Sequence, residues 1–171
     1  MVNKISIVLV LFILGGIGYT LYGFFAVDKN PDIITVERFH GEEPILLNDY
    51  IGKKKTILQF VIVPCECCSF SMPFIQDFAR EQDEFEVITI IFHGKRKEIQ
   101  EKFENEYKAT HLYGLDLDRS IANHYGANVS PTYVFFDEEG NNLGSYPFII
   151  LDATELLQRY EDVYHKFHKG E

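Results

Sequence analysis

The three cysteines of the chain lie close together, at Cys65, Cys67 and Cys68. Cys65 and Cys68 form a C-x-x-C pair, a spacing that lets a disulfide close across one helical turn. A secreted disulfide scaffold would instead distribute its cysteines so that they join distant segments. The clustering therefore indicates thiol chemistry rather than structural cross-linking.

The position of the pair gives its two thiols different roles. The pair follows the apolar run 56–63 and precedes a segment whose apolar residues recur at helical spacing, so Cys65 should lie at a helix N-terminus. Free N–H groups and the positive end of the helix dipole favour a thiolate there. We therefore expect Cys65 to be the attacking thiol, and Cys68, more buried within the first turn, to be the resolving thiol.

A soft-metal site is the alternative use of these cysteines. Cys65, Cys67 and Cys68 together would offer three thiolates to Cu(I), with Met72 nearby in the sequence. A structural zinc site needs four ligands, and the six histidines do not supply a complementing pair. We expect no metal and no other cofactor, with a Cu(I)-binding protein or copper chaperone as the alternative function.

Hydrophobic patterning predicts an α/β domain around the cysteines. Residues 56–63 and 85–92 are nearly continuous apolar runs, typical of strands buried on both faces of a sheet. The other predicted elements are strands at 45–47, 132–137 and 142–146, and helices at 65–81, 97–107, 120–125 and 153–168. Their order indicates one mixed sheet with helices on both faces.

The uncharged N-terminal segment indicates that the chain is attached to a membrane. Residues 5–27 carry no charged side chain, and at about 1.5 Å per residue such a helix crosses a hydrocarbon core of about 30 Å. We predict a cytoplasmic N-terminus at 1–4, a single transmembrane signal anchor at 5–27, a linker at 28–32 and an extracytoplasmic domain at 33–171. The alternative is a cleaved signal peptide, which would export the same domain.

The net charge of −10 argues against some partners. An acidic domain lacks the positive surface that binds nucleic acid, so no nucleic-acid partner is expected. It would also be repelled by anionic lipid, so attachment to the cell membrane must be hydrophobic.

Two motifs resemble the thioredoxin-like superfamily, and most closely its membrane-anchored TlpA/ResA-like thiol-disulfide oxidoreductases. Residues 56–73, TILQFVIVPCECCSFSMP, combine an apolar strand, the C-x-x-C pair and a helix proline, Pro73. Residues 129–132, VSPT, are similar to the loop whose cis-proline faces the cysteines. The resemblance covers about residues 33–168 and implies a thioredoxin-like fold, a central mixed sheet flanked by helices.

The resemblance also implies a function and its site. It implies catalytic roles for Cys65 and Cys68, a cis peptide before Pro131 that lies beside them, and a Ser130 backbone that pairs with an extended substrate. The partners it implies are exported protein disulfides or thiols and a membrane electron donor or acceptor. Glu66, between the cysteines, is predicted to help set the reduction potential.

Three residues depart from the family pattern and leave the direction of electron transfer open. Pro64 stands where the family commonly has Trp, Gln59 where it often has a buried carboxylate or amide, and Cys67 where proline is frequent. A disulfide from Cys67 to either neighbour would distort the turn, so Cys65–Cys68 is the expected oxidised form. Cys67 is expected to point away from Cys68, as a tolerated small residue or an auxiliary thiol.

Overall fold

The computed structural model of the chain describes residues 34–39 and 42–170. The predicted segments 1–4, 5–27 and 28–32 lie outside the described residues. Within the part of the chain that is described, none of the helices has the length and apolar character needed to cross a membrane.

The described residues form an α/β domain. Its elements, in chain order, are β1 (Thr35–Val36), β2 (Ile45–Leu46), β3 (Lys55–Ile62), α1 (Glu66–Glu81), β4 (Phe85–His93), α2 (Arg96–Gln100), β5 (Leu112–Leu115), α3 (Ser120–His124), β6 (Thr132–Phe136), β7 (Asn142–Pro147) and α4 (Ala153–Lys169). A 3-10 turn over Leu47–Asp49 follows β2, and α2 continues as a π-helix over Glu101–Glu106.

Five strands form one mixed sheet in the order β5-β4-β3-β6-β7. The β3–β4 and β4–β5 pairs are parallel, whereas β3–β6 and β6–β7 are antiparallel. Strands β1 and β2 form a separate antiparallel pair. The predicted thioredoxin-like α/β fold with a central mixed sheet is therefore confirmed.

The sheet has a core on each face because β3 and β4 alternate buried side chains between the two faces. Leu58 and Ile88 pack with Ile121 of α3 on one face. Ile57 packs with Phe78 of α1 on the other face, and the same cluster includes residues of α4. Helices thus cover both faces, as predicted, and α1 begins at the end of the buried central strand β3.

The predicted elements agree with the structure to within one residue at each end, but the short strands β1 and β5 have no predicted counterpart. Strand β5 was not predicted, because it is a short edge strand that contains a glycine. Gly114 is required there, since a Cβ atom would lie 2.5 Å from the carbonyl oxygen of Glu37, which forms a bridge with Leu115. The predicted helix 97–107 is confirmed to within one residue, but its second half is a π-helix, and the Tyr107 N–H donates to the Lys102 carbonyl at its end.

Candidate active site

The cysteine pair occupies the junction between β3 and α1. Cys65 is the N-cap residue of α1, with an extended backbone, and its Sγ accepts a hydrogen bond of 3.1 Å from the Cys68 N–H. Cys65 and Cys68 form a disulfide with a Cα–Cα distance of 5.3 Å, so the predicted pairing is confirmed. The sulfur of Cys65 therefore lies where the free N–H groups of the first helical turn stabilise negative charge.

The two sulfurs differ in their access to solvent. Cys68 is 3% exposed and packs in a buried cluster with Met72 and Val61. Cys65 is only partly buried. An incoming thiolate or disulfide therefore meets Cys65 first, which fits its predicted role as the attacking thiol.

Ser130 lies beside the disulfide, and the peptide bond between Ser130 and Pro131 is cis, as predicted. The Ser130 Oγ is 3.1 Å from Cys68 Sγ and 3.9 Å from Cys65 Sγ. Sequence reasoning assigned a role only to the Ser130 backbone and missed this hydroxyl. A second cis peptide, Val63–Pro64, was not predicted.

The prediction that Cys67 points away from Cys68 is wrong. Cys67 Sγ lies 3.1 Å from Cys65 Sγ, and the three cysteine sulfurs all lie within 4.8 Å of one another. The cause is the N-cap conformation of Cys65, since an N-cap side chain folds back over the first helical turn, where Cys67 lies. Glu66, by contrast, is exposed at the start of the helix.

A row of polar side chains crosses the sheet within its apolar core. The Gln59 amide donates to the Tyr133 hydroxyl at 3.3 Å and accepts from the Thr89 hydroxyl at 2.8 Å. The Thr89 oxygen lies 2.7 Å from His111 Nε2. Because the single Thr89 proton points to Gln59, His111 Nε2 must carry a proton to complete the row.

Burial keeps the ends of this row neutral. It raises the pKa of Tyr133, and it lowers the pKa of His111 to about 4. Among the described residues, no partner hydrogen-bonds His111 Nδ1, which is buried. Sequence reasoning noted only Gln59, although Thr89, the one polar residue within 87–91, was the signal for the rest of the row.

Comparison with known proteins gives matches across most of the chain. The Redoxin family profile matches residues 26–143. The thiol-disulfide oxidoreductase ResA of Bacillus anthracis is 28% identical over 142 residues, covering 78% of this chain and 81% of the relative. The protein of the same name from Geobacillus thermodenitrificans is also 28% identical, covering 78% of this chain and 80% of its own length.

Solved structures share the fold. The exposed lipoprotein thioredoxin Etrx1 of Streptococcus pneumoniae is 27% identical, with a TM-score of 0.61, over 75% of this chain and 98% of that one. A secreted disulfide oxidoreductase of Mycobacterium tuberculosis is 20% identical, with a TM-score of 0.65, over 76% of this chain and 96% of that one. Because the family profile covers strands β1 to β6, the cysteine junction and the Ser130–Pro131 loop described above, this chain belongs to the Redoxin family, as a thioredoxin-like member similar to ResA.

Proposed function

We propose that this chain is a membrane-anchored, extracytoplasmic thiol-disulfide oxidoreductase that exchanges disulfides with exported proteins. The observation that carries the proposal is the Cys65–Cys68 disulfide at the N-terminus of α1, with one sulfur accessible and the other buried. Relatives named thiol-disulfide oxidoreductase match over 78% of the chain.

The exchange proceeds through a mixed disulfide. In the reducing direction, the Cys65 thiolate attacks one sulfur of a substrate disulfide, and the other substrate sulfur leaves as a thiolate. The Cys68 thiolate then attacks Cys65 Sγ, and the second substrate sulfur leaves. Two electrons have passed to the substrate, and this chain holds the Cys65–Cys68 disulfide. The reverse sequence would oxidise a substrate dithiol.

The Cys68 N–H and the Ser130 hydroxyl assist these steps. The N–H that donates to Cys65 Sγ favours the attacking thiolate. The Ser130 hydroxyl lies where it can donate to Cys68 Sγ as that sulfur gains negative charge. Pro131, next to Ser130, would line the path of the substrate.

Membrane anchoring is the part of the proposal that rests on sequence. The uncharged run 5–27 supports a single-pass anchor, and Lys4 before it supports a cytoplasmic N-terminus. A membrane electron donor or acceptor would then restore the starting redox state of the cysteine pair.

The activity is tested by reduction of insulin disulfides with the full-length chain in mild detergent. The wild type should accelerate insulin precipitation by dithiothreitol, and Cys65→Ser and Cys65→Ala should both lose the acceleration while keeping the wild-type circular dichroism spectrum. Retention of the activity in folded Cys65→Ser would contradict the proposal.

The anchor needs a separate test in cells. After alkaline carbonate extraction the chain should stay in the membrane fraction, and protease added to intact spheroplasts should digest its domain. Digestion only after lysis would place the domain in the cytoplasm and overturn this part of the proposal.

Binding of Cu(I) is the second candidate function, favoured by one observation. The sulfurs of Cys65, Cys67 and Cys68 lie within 4.8 Å of one another, so the reduced chain brings three soft ligands together. Competition against a chromophoric Cu(I) chelator tests this function. Retention of one Cu(I) by the reduced wild type, and its loss in Cys67→Ser, would favour copper handling, whereas insulin reduction without such retention favours exchange.

A further inference from the structure

Cys67 is a free thiol next to the sulfur that carries out the exchange. Its Sγ lies 3.1 Å from Cys65 Sγ, while Cys65 is disulfide-bonded to Cys68. Cys65 Sγ thus has two cysteine sulfurs of the same helical turn as neighbours. The C-x-x-C mechanism described above uses only one of them.

The surroundings of Cys67 hold it in this place. Its carbonyl oxygen lies 3.1 Å from the Ser71 hydroxyl oxygen, which is 3.0 Å from the Ile150 carbonyl, so the two carbonyls share one hydroxyl proton and the Cys67 backbone is held. Its side chain is partly buried against the apolar cluster that contains Cys68 and Met72. The thiol therefore lies inside the site rather than in open solvent.

We propose that Cys67 is a second resolving thiol, an inference that rests on the proposed exchange function. In the mixed disulfide between Cys65 and a substrate, the Cys67 thiolate attacks Cys65 Sγ. The bond between Cys65 Sγ and the substrate sulfur breaks, and the substrate leaves as a thiolate. A Cys65–Cys67 disulfide remains, and its two electrons have passed to the substrate, so no further oxidant or reductant is needed.

This product connects to the observed disulfide by one further exchange. The Cys68 thiolate attacks Cys65 Sγ, the Cys65–Cys67 bond breaks, and Cys67 leaves as a thiolate, which takes up a proton from solvent. The step changes no oxidation state, and it is favourable because it removes the distortion that a Cys65–Cys67 disulfide imposes on the turn. It allows a substrate to be released through Cys67 when the buried Cys68 is slow to react, and still yields the Cys65–Cys68 pair.

The two resolving routes are separated by comparing two variants that differ only at position 67. The reduced full-length Cys68→Ser and Cys67→Ser/Cys68→Ser chains are each mixed with one equivalent of glutathione disulfide, quenched with acid and mapped by mass spectrometry. In Cys68→Ser, the glutathione adduct on Cys65 should disappear at least ten times faster than in the double variant, with formation of a Cys65–Cys67 disulfide.

Equal lifetimes of the adduct in the two variants, with no Cys65–Cys67 disulfide, would overturn the role of Cys67. If serine at position 68 prevents folding, the same comparison is made with Cys68→Ala and Cys67→Ala/Cys68→Ala. If the chain did not carry out thiol-disulfide exchange at all, the result would be different, because the wild type would then neither form an adduct at Cys65 nor reduce insulin.

Discussion

The Ser130 hydroxyl lies 3.1 Å from Cys68 Sγ, and its oxygen accepts a hydrogen bond of 3.0 Å from the Ile62 N–H. The Ile62 N–H therefore fixes the oxygen, which leaves the hydroxyl proton free to be donated to a sulfur. A loop after α3 and the end of strand β3 thus meet at the buried half of the disulfide. The hydrogen bond stabilises the reduced form of the cysteine pair more than the oxidised form, because a thiolate is a stronger hydrogen-bond acceptor than a disulfide sulfur.

Ser130→Ala should make the cysteine pair more reducing. The reduced state loses a hydrogen bond worth about 0.5–1.5 kcal/mol, which corresponds to a reduction potential lower by about 10–30 mV. Equilibration with glutathione redox buffers measures the potential. Ser130→Thr keeps a hydroxyl and is the matched control, and a potential that rises in Ser130→Ala would contradict the role of this contact.

Glu66→Gln should make the pair more oxidising. Glu66 is exposed and follows Cys65 directly, so its carboxylate disfavours the neighbouring thiolate. Removing the charge should raise the reduction potential by about 10–20 mV in low salt, and by less at high ionic strength. Glu161→Gln, which removes an exposed carboxylate from α4, is the control that should leave the potential unchanged. The same shift in both variants would exclude a local effect.

Gln59→Glu should introduce a pH-dependent loss of stability. Position 59 is buried, so the pKa of the new carboxyl in the folded state would be higher than its unfolded value of about 4.3. As pH rises, the unfolded state therefore loses this proton at a lower pH than the folded state. The stability relative to the wild type should then fall as pH rises above about 4.3, by up to about 1.4 kcal/mol per pH unit until the folded pKa is reached. Urea unfolding at pH 4, 5.5 and 7 measures the difference. Gln59→Met is the control, whose difference from the wild type should not depend on pH.

His111 should destabilise the fold in mild acid. Burial lowers its pKa to about 4, below an unfolded value of about 6.5, so the unfolded state binds the proton first as pH falls. The stability of the wild type relative to His111→Gln should therefore decrease between about pH 6.5 and 4, by about 2–3 kcal/mol in all. Urea unfolding across this range tests the prediction, with His165→Gln on the exposed side of α4 as the control. A constant difference between the wild type and His111→Gln would show that His111 does not titrate in this way.

The main elements and the cysteine site could be predicted because their signals are local. The apolar run that became β3 and the helical spacing after Cys65 require only neighbouring residues to be recognised. Strand β5 gave no such signal, since an edge strand of four residues with Gly114 depends on the backbone that packs against it. The positions of Cys67 Sγ and the Ser130 hydroxyl depend on side-chain rotamers and on contacts between distant segments, which spacing does not encode.

The polar row of Tyr133, Gln59, Thr89 and His111 also has a consequence for how the strands find their alignment during folding. The surrounding positions of β3, β4 and β6 are apolar, and such residues pack almost equally well after a slip along a neighbouring strand. A slip of two residues would keep each apolar side chain on its own face but would leave the buried Gln59 amide opposite hydrocarbon, at a cost of about 1–3 kcal/mol for each unpaired group. The hydrogen-bonded row thus selects one alignment of the three strands, and that alignment brings the loop before β6 to the cysteines at the end of β3.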